Sequence, residues 1–358
     1  MRREALDLLC CPACGGRLAV RAADSNDREI VAGSLVCEAC GRQYPVERRM
    51  PYLYVDDERW SPKAREAEGW VSLHKKRGIY DQTGVDIDFR VPCFEHEPWI
   101  TVARHFRIGL ELASLTGGET VLDLGAGRGW AAKQFALKGC RVAAIDVMPD
   151  EQVGLGRAWA IMEQAGVWFD PVIGDNENLP FQPSTFDLVF CVGVLHHTSD
   201  LRRLLASVYK VLKPGGRLIA INEPCIRPHD NTEKVLQQYA AEELSLGINE
   251  TRPSFLDYLD ALQAAGFARI EIFPADTYGQ SHPAVEAWAR QLDVVAPPVR
   301  AWSLRGLPHI LGGYVQRRLN MWSFHGRLPR PRSKREALIQ AIMVHKMTDV
   351  IIFAERSR

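Results

Sequence analysis

The 358-residue chain has no run approaching the roughly 20 apolar residues that a membrane-spanning helix needs, and its mean hydropathy is only −0.16. Its first residues, Met1 to Leu9, carry Arg2, Arg3, Glu4 and Asp7 and lack the apolar stretch of a secretory signal, so the expectation is a cytoplasmic protein. An excess of one charge is also missing. The 44 Lys and Arg offset the 44 Asp and Glu, and no overall field draws the chain to nucleic acid or to a membrane surface. There is no internal repeat and no low-complexity tract. With 46% hydrophobic and 25% charged residues the composition is that of an ordinary globular protein of about two domains, which sets aside disordered and fibrous classes.

Four of the nine cysteines form Cys11-Pro12-Ala13-Cys14 and Cys37-Glu38-Ala39-Cys40, two Cys-x-x-Cys knuckles with 22 residues between them. In a chain read as intracellular this spacing points to a tetrahedral zinc site rather than to disulfides. Four thiolates leave no open position, so the Zn2+ is expected to be structural, stapling a segment with too little core to fold alone. Cys10 is adjacent and competes with Cys11 as a ligand, but the spacing favours Cys11. A redox pair would need a strand-helix setting that is lacking here.

Residues 1–58 read as a zinc-binding module of short strands, and residues 59–94 as a helical linker opened by Ser61-Pro62. From residue 95 to 223 apolar strand runs alternate with amphipathic helices: ETVLDLGAG, WAAKQFALKG, RVAAIDVM, FDLVFCVG, LRRLLASVYKVL, RLIAINEP. Such alternation predicts an α/β domain with a parallel sheet and helices on both faces. The helix SFLDYLDALQAAGF and the strand RIEIFP follow, and the last strand falls at 349–355. About 75 residues between those two strands predict an inserted subdomain at about 275–347. Its middle, Ala296 to Lys334, holds no Asp or Glu but several Arg, including Arg317 and Arg318, among Trp302, Tyr314, Trp322 and Phe324.

Val121 to Leu124 lead as a buried strand into Gly125-Ala126-Gly127-Arg128-Gly129, and a helix follows directly. Such a turn brings backbone N–H groups and a helix N-terminus to a ligand. The spacing is Gly-x-Gly-x-Gly; the dinucleotide fingerprint has its third glycine one position later, where Trp130 stands, and a nicotinamide-dependent oxidoreductase therefore conflicts with it. Asp146 closes the second strand, 23 positions after Asp123, where a carboxylate can accept both hydroxyls of a ribose. Asp175, in Gly174-Asp175-Asn176-Glu177, reads equally as a contact for an adenine amino group and as a turn or cap residue.

Together, VLDLGAGRG, AAIDVM, GDNENLPF, FDLVFCVGVLHH and VLKPGGRLIAINEP resemble the class I S-adenosylmethionine-dependent methyltransferases, in particular the ubiquinone/menaquinone methyltransferase branch. The resemblance covers residues 95–273 and the final strand. It implies a Rossmann-like, seven-stranded, mostly parallel sheet with an antiparallel last strand. It also implies that Asp123 and the loop Gly125, Ala126, Gly127, Arg128 and Gly129 surround the methionine end of S-adenosyl-L-methionine. Asp146, with Val147 beside it, would hold the ribose, Asp175 and the Asn176 backbone would meet the adenine, and Cys191 to Gly193 would lie beside the cofactor. LLCCPACGGRL and LVCEACGRQYPVERRMPYL resemble the small zinc-bearing activator proteins of tRNA, rRNA and protein methyltransferases, except that Arg48-Arg49-Met50 replaces their usual Asp/Glu-Gly-Ile turn.

Methyl transfer needs alignment and exclusion of water more than a protein nucleophile, and a general base only where the acceptor loses a proton. His196 and His197, just past the fourth strand, are candidates for that base or are simply part of the strand-to-helix turn. Glu223 is a candidate to position the acceptor or a capping carboxylate, and His96 and Trp99 either line the acceptor pocket or belong to the core. The first functional expectation is methyl transfer to a small-molecule acceptor, anionic or lipid-like, with the basic insertion as a lid. The alternatives are an RNA base methyltransferase that binds RNA through the zinc module and the insertion, and a non-catalytic cofactor-binding scaffold whose zinc module recruits a protein partner. For the insertion, a solvated surface and a membrane-surface role are further readings.

Overall fold

The computed structural model describes residues 1–81, 84–295, 315, 319–324 and 326–358. Four antiparallel strands open the chain: β1 (Leu18–Ser25), β2 (Ile30–Cys37), β3 (Gln43–Glu47) and β4 (Met50–Leu53). They are small, and they bury Ile30, Leu35, Val46 and Leu53.

Helix α1 (Trp60–Lys76) follows, then α2 (Val85–Arg90) and α3 (Trp99–Ala113). The alternating part runs β5 (Thr120–Leu124), α4 (Trp130–Leu137), β6 (Arg141–Asp146), α5 (Ala158–Ala165), β7 (Asp170–Gly174), β8 (Phe186–Val192), α6 (Leu201–Val211) and β9 (Leu212–Cys225). Short helices α7 (Thr232–Tyr239) and α8 (Ala241–Ser245) precede α9 (Phe255–Ala265) and β10 (Phe267–Pro274); α10 (His282–Gln291), α11 (Lys334–His345) and β11 (Thr348–Arg356) close the chain.

The order β7-β6-β5-β8-β9-β11-β10 is the expected seven-stranded sheet, with β11 antiparallel to both of its neighbours. Its parallel strands are mainly apolar because both faces are covered: Val121, Leu122 and Leu124 of β5 and Leu188, Val189 and Phe190 of β8 have no exposed surface. Helix α6 shows the other period, burying Leu204, Leu205, Val208 and Val211, and it starts where Asp200 accepts the Arg203 amide at 3.0 Å. Ser254 and Asp257 form a reciprocal capping box on α9.

The sheet does not stop at β7. Strand β4 lies parallel to it, Tyr52 opposite Ile173 and Leu53 opposite Gly174, so the N-terminal strands and the α/β sheet make one 11-stranded surface. Of the expected insertion, α10 and α11 pack together, and Val285 and Ala289 of the first and Ile339 and Ile342 of the second are buried. Its basic, aromatic middle lies largely outside the described residues, Trp302, Tyr314, Arg317 and Arg318 included.

Candidate cofactor site and metal centre

The segments at the carboxyl ends of β5, β6, β7 and β8 converge on a cavity of about 260 Å³, close to the lower end for ligand pockets. Gly125 (φ +64) and Gly127 (φ +53) turn the chain there. A Cβ on Gly125 would stand 2.6 Å from Val194 Cγ2, so only glycine fits that close approach. Asp146 ends β6 inside the cavity, and its carboxylate accepts the amides of Gly127 at 2.8 Å and Met148 at 2.9 Å. Burial pushes this carboxyl above its ordinary value.

Asn176 also lines the cavity, and its Oδ1 is buried with no hydrogen-bond partner. A buried amide oxygen without a donor is costly, and a bound ligand would supply one. The open glycine turn, the carboxylate and this orphaned oxygen suit a nucleoside with a charged tail.

Of the other candidates, Val147, Gly193 and His197 line the cavity. Asp123 lies beneath it, 2% exposed, accepting the Ala132 amide at 2.8 Å, and burial raises its carboxyl to about 7. Ala126 is buried in the same turn, and Gly129 caps α4 over Phe169. Arg128 turns to Asp88, which Arg157 also holds. Cys191 is fully buried in β8.

Asp175 is paired with Lys63 at 3.2 Å and accepts the Glu177 amide at 2.8 Å. Glu223 has no exposure; it accepts the amides of Val194, Leu195 and His196 and sits 2.9 Å from His196 Nδ1. It therefore fixes the turn that carries both histidines. Burial, then His196 alongside, lowers His197 to about 3, so its ring is neutral.

One wall comes from α1, read above only as a connection. Lys63, Glu66, Trp70 and His74 of this helix face the cavity. Lys63 reaches Glu177 Oε1 at 2.9 Å; burial alone would raise the Glu177 carboxyl, but Lys63, Thr198 and the Ser199 amide hold it below the usual range. Burial raises Glu66 to about 8. The signal was present: Trp60, Lys63, Ala67, Trp70 and His74 recur at helical spacing, one stripe that mixes apolar and polar residues.

At the other end of the module, Cys11 and Cys40 Sγ are 3.7 Å apart and Cys14 and Cys37 Sγ 3.5 Å apart. Four sulfurs around one zinc at ~2.3 Å stand roughly 3.8 Å from one another, so this cluster fits the ion. Gly16 makes the room, since a Cβ there would lie 2.9 Å from Cys37 Sγ. Tyr44 Oη meets Cys11 Sγ at 3.0 Å from outside. Cys10 is not part of the cluster: it is buried, its thiol raised to about 11 by that burial, and its amide bonds the Pro180 carbonyl.

Residues 122–220 match the family model described as a methyltransferase domain. The chain carries a methyltransferase domain. Residues 2–48 match the Trm112p-like protein family, over the segment that holds the four cysteines. A sterol 24-C-methyltransferase of Eremothecium gossypii is 31% identical over 170 residues, 47% of this chain and 45% of its own length. A demethylmenaquinone methyltransferase of Tropheryma whipplei is 31% identical over 140 residues, 39% of this chain and 52% of its own. The chain thus spans about half the length of these curated relatives. Among solved structures, phosphoethanolamine N-methyltransferase 2 of Haemonchus contortus with S-adenosyl-L-methionine aligns over 80% of this chain and 60% of its own, with 16% identity and a TM-score of 0.48. Among the described residues no helix is long and apolar enough to cross a membrane.

Proposed function

We propose that the chain is an S-adenosyl-L-methionine-dependent methyltransferase acting on a small-molecule acceptor, with a structural zinc at Cys11, Cys14, Cys37 and Cys40. The observation that carries this reading is the cavity built from Gly125, Gly127 and Asp146, with the orphaned Asn176 Oδ1 on its wall. When bound, the cofactor supplies a methyl already activated on a sulfonium.

The chain's own work is then binding, orientation and exclusion of water. Asp146 is assigned to the ribose, Asn176 with Asp175 behind it to the base, and the Gly125–Gly129 turn with Gly193 to the methionine end. Helix α1 walls the cavity with Lys63, Glu66, Trp70 and His74 and would limit the entry of solvent beside a bound cofactor. His196 and His197 stand at the acceptor end, with Glu223 as the positioning residue that holds their turn. His197, neutral far below pH 7, is a weak proton acceptor, so an acceptor that ionises easily suits this site.

The small-molecule class draws support from the curated relatives, which by name act on sterols and demethylmenaquinone. Zero formal net charge gives no support to an RNA substrate. The division into a zinc module (1–58), a helical linker (59–94) and a methyltransferase domain (95–358) belongs to the same proposal. Calorimetric titration with S-adenosylhomocysteine tests it, beside an Asp146→Ala variant and a zinc assay. Binding that depends on Asp146 is the expected result; a folded, zinc-loaded protein that binds none would overturn it.

A further inference from the structure

Beyond the glycine turn, two imidazoles and two carboxylates converge where the 3-10 turn Leu195–His197 meets the segment around Glu250. His196 Nδ1 lies 2.9 Å from a Glu223 carboxylate oxygen and His197 Nδ1 2.6 Å from the Asn249 carbonyl. Both partners accept, so each Nδ1 carries a hydrogen and Nε2 is the ring atom left to meet a ligand. Metal-ligating imidazoles are held in this way, the other ring nitrogen donating to a carboxylate or a carbonyl. The two rings sit with centroids 4.1 Å apart.

The carboxylates complete the set. Glu250 is 7% exposed; one of its oxygens lies 3.8 Å from His197 Nδ1, and the other is buried without a hydrogen bond. Arg252 Nε approaches that second oxygen at 3.3 Å, a charge pairing that lacks hydrogen-bond alignment and leaves the Arg252 donor equally unsatisfied. Glu66 Oε1 faces the same imidazole at 3.8 Å from the cavity wall.

One ligand atom from each of His196, His197 and Glu250 lies within 4.8 Å of the other two. Ligands sharing a tetrahedral ion at ~2.0–2.1 Å stand roughly 3.4 Å apart, so the three side chains would have to draw together around an ion to close the shell.

We propose that His196, His197 and Glu250, joined by Glu66 from the cavity side, form a divalent-cation site that holds an anionic, oxygen-bearing acceptor beside the methyl donor. This rests on the methyl-transfer reading above. The mixed imidazole and carboxylate set selects a transition ion such as Zn2+, Co2+ or Mn2+ over Ca2+. Unlike the closed four-cysteine cluster, the three ligands His196, His197 and Glu250 leave a tetrahedral ion a fourth position, which persists with Glu66 bound only in a five-coordinate shell, and His197 and Glu66 border the cavity from which an acceptor would fill it. The cation would replace Arg252 as the counter-charge of Glu250.

The test uses the full chain with zinc already in its cysteine cluster. Co2+ is titrated in, followed by calorimetry and by visible absorption, where cobalt bound to imidazole and carboxylate lacks the thiolate charge-transfer bands. One equivalent without those bands is expected, weakened by at least roughly ten-fold in Glu250→Gln and in His197→Gln.

Thermal stability and retained zinc report folding in each variant, and Glu250→Gln is expected to bind S-adenosylhomocysteine like the parent. No uptake by the parent protein, or uptake unchanged in both variants, would overturn the site. Failure of the parent to bind S-adenosylhomocysteine would instead sink the methyl-transfer reading, whatever the cobalt result.

Discussion

Replacing Lys63 by Met removes the cation that bridges two buried carboxylates beside the cavity, Asp175 and Glu177. Lys63, Asp175 and Glu177 are 8%, 7% and 6% exposed, and the ammonium bridges the two acids at 3.2 and 2.9 Å. Deleting one partner of a buried pair leaves uncompensated charge and costs about 3–5 kcal/mol. For a domain of this size that lowers the melting temperature by roughly 6–20 °C.

The pH dependence gives the sharper check. In the parent, Glu177 is held below its ordinary value, so its contribution is present at neutral pH and is lost as the pH falls through that depressed value. In Lys63→Met, burial is no longer opposed by the ammonium and the carboxyl moves up. The destabilisation is then largest near neutral pH and shrinks on the acid side, because a protonated Glu177 leaves no buried charge. Melting curves of parent and variant by calorimetry from pH 8 down to about 4.5 measure the gap. Equal melting temperatures at neutral pH, or a gap that does not narrow with acid, would refute the argument.

Asp146→Ala should weaken S-adenosylhomocysteine by about 10- to 100-fold, the equivalent of ~1.5–3 kcal/mol for hydrogen bonds to a charged group; isothermal calorimetry reads this. Cys14→Ser should lose the tightly held zinc on gel filtration against a weak chelator and lower the melting temperature. In hydrogen exchange the same change should open the loop after β7, because Asn178 Nδ2 donates to the Pro12 carbonyl inside the first knuckle at 2.9 Å. Glu66, raised to about 8 by burial, binds a proton in the folded chain that it has lost when unfolded. Stability should therefore fall as the pH rises from about 4.5 through 8, and Glu66→Gln should flatten that part of the curve in thermal melts.

The seven strands of the α/β sheet were readable because each obeys one rule at a time. LVFCV at 188–192 and LIAI at 218–221 are uninterrupted apolar runs, as strands covered on both faces tend to be, and LRRLLASVYKV keeps a clean helical period that buries four residues. The cysteine spacing was equally plain, since ligand geometry restricts it. What sequence did not reveal was the second function of α1. Its polar residues Lys63, Glu66 and His74 look like a solvated face when counted by hydropathy, although they share a stripe with Trp60 and Trp70. A charged residue on such a stripe is buried only when a partner waits on another element, and Asp175 and Glu177 are more than 110 residues away along the chain. Pairings of that range carry no local signature. The parallel contact of β4 with β7 was hidden for the same reason.

That pairing changes what the four cysteines do for the rest of the chain. A terminal strand of an open sheet presents unpaired N–H and C=O groups, and β4 covers those of β7 at Ile173 and Gly174, the two residues before the Asp175 turn. From the other side, the Cys10 amide donates to the Pro180 carbonyl and Asn178 donates into the Cys11–Cys14 knuckle, so the segment 173–180 is fastened at both ends to the module. Lys63 then locks its middle from α1. A loop held by a strand pairing, a metal knuckle and a buried ion pair has lost its conformational freedom before any ligand arrives. The ordering cost that a mobile binding loop would subtract from affinity has already been met in folding. On this reasoning the cysteine cluster belongs to the cavity as much as to the module that carries it, and metal loss should appear as a weaker ligand before it appears as a lost sheet.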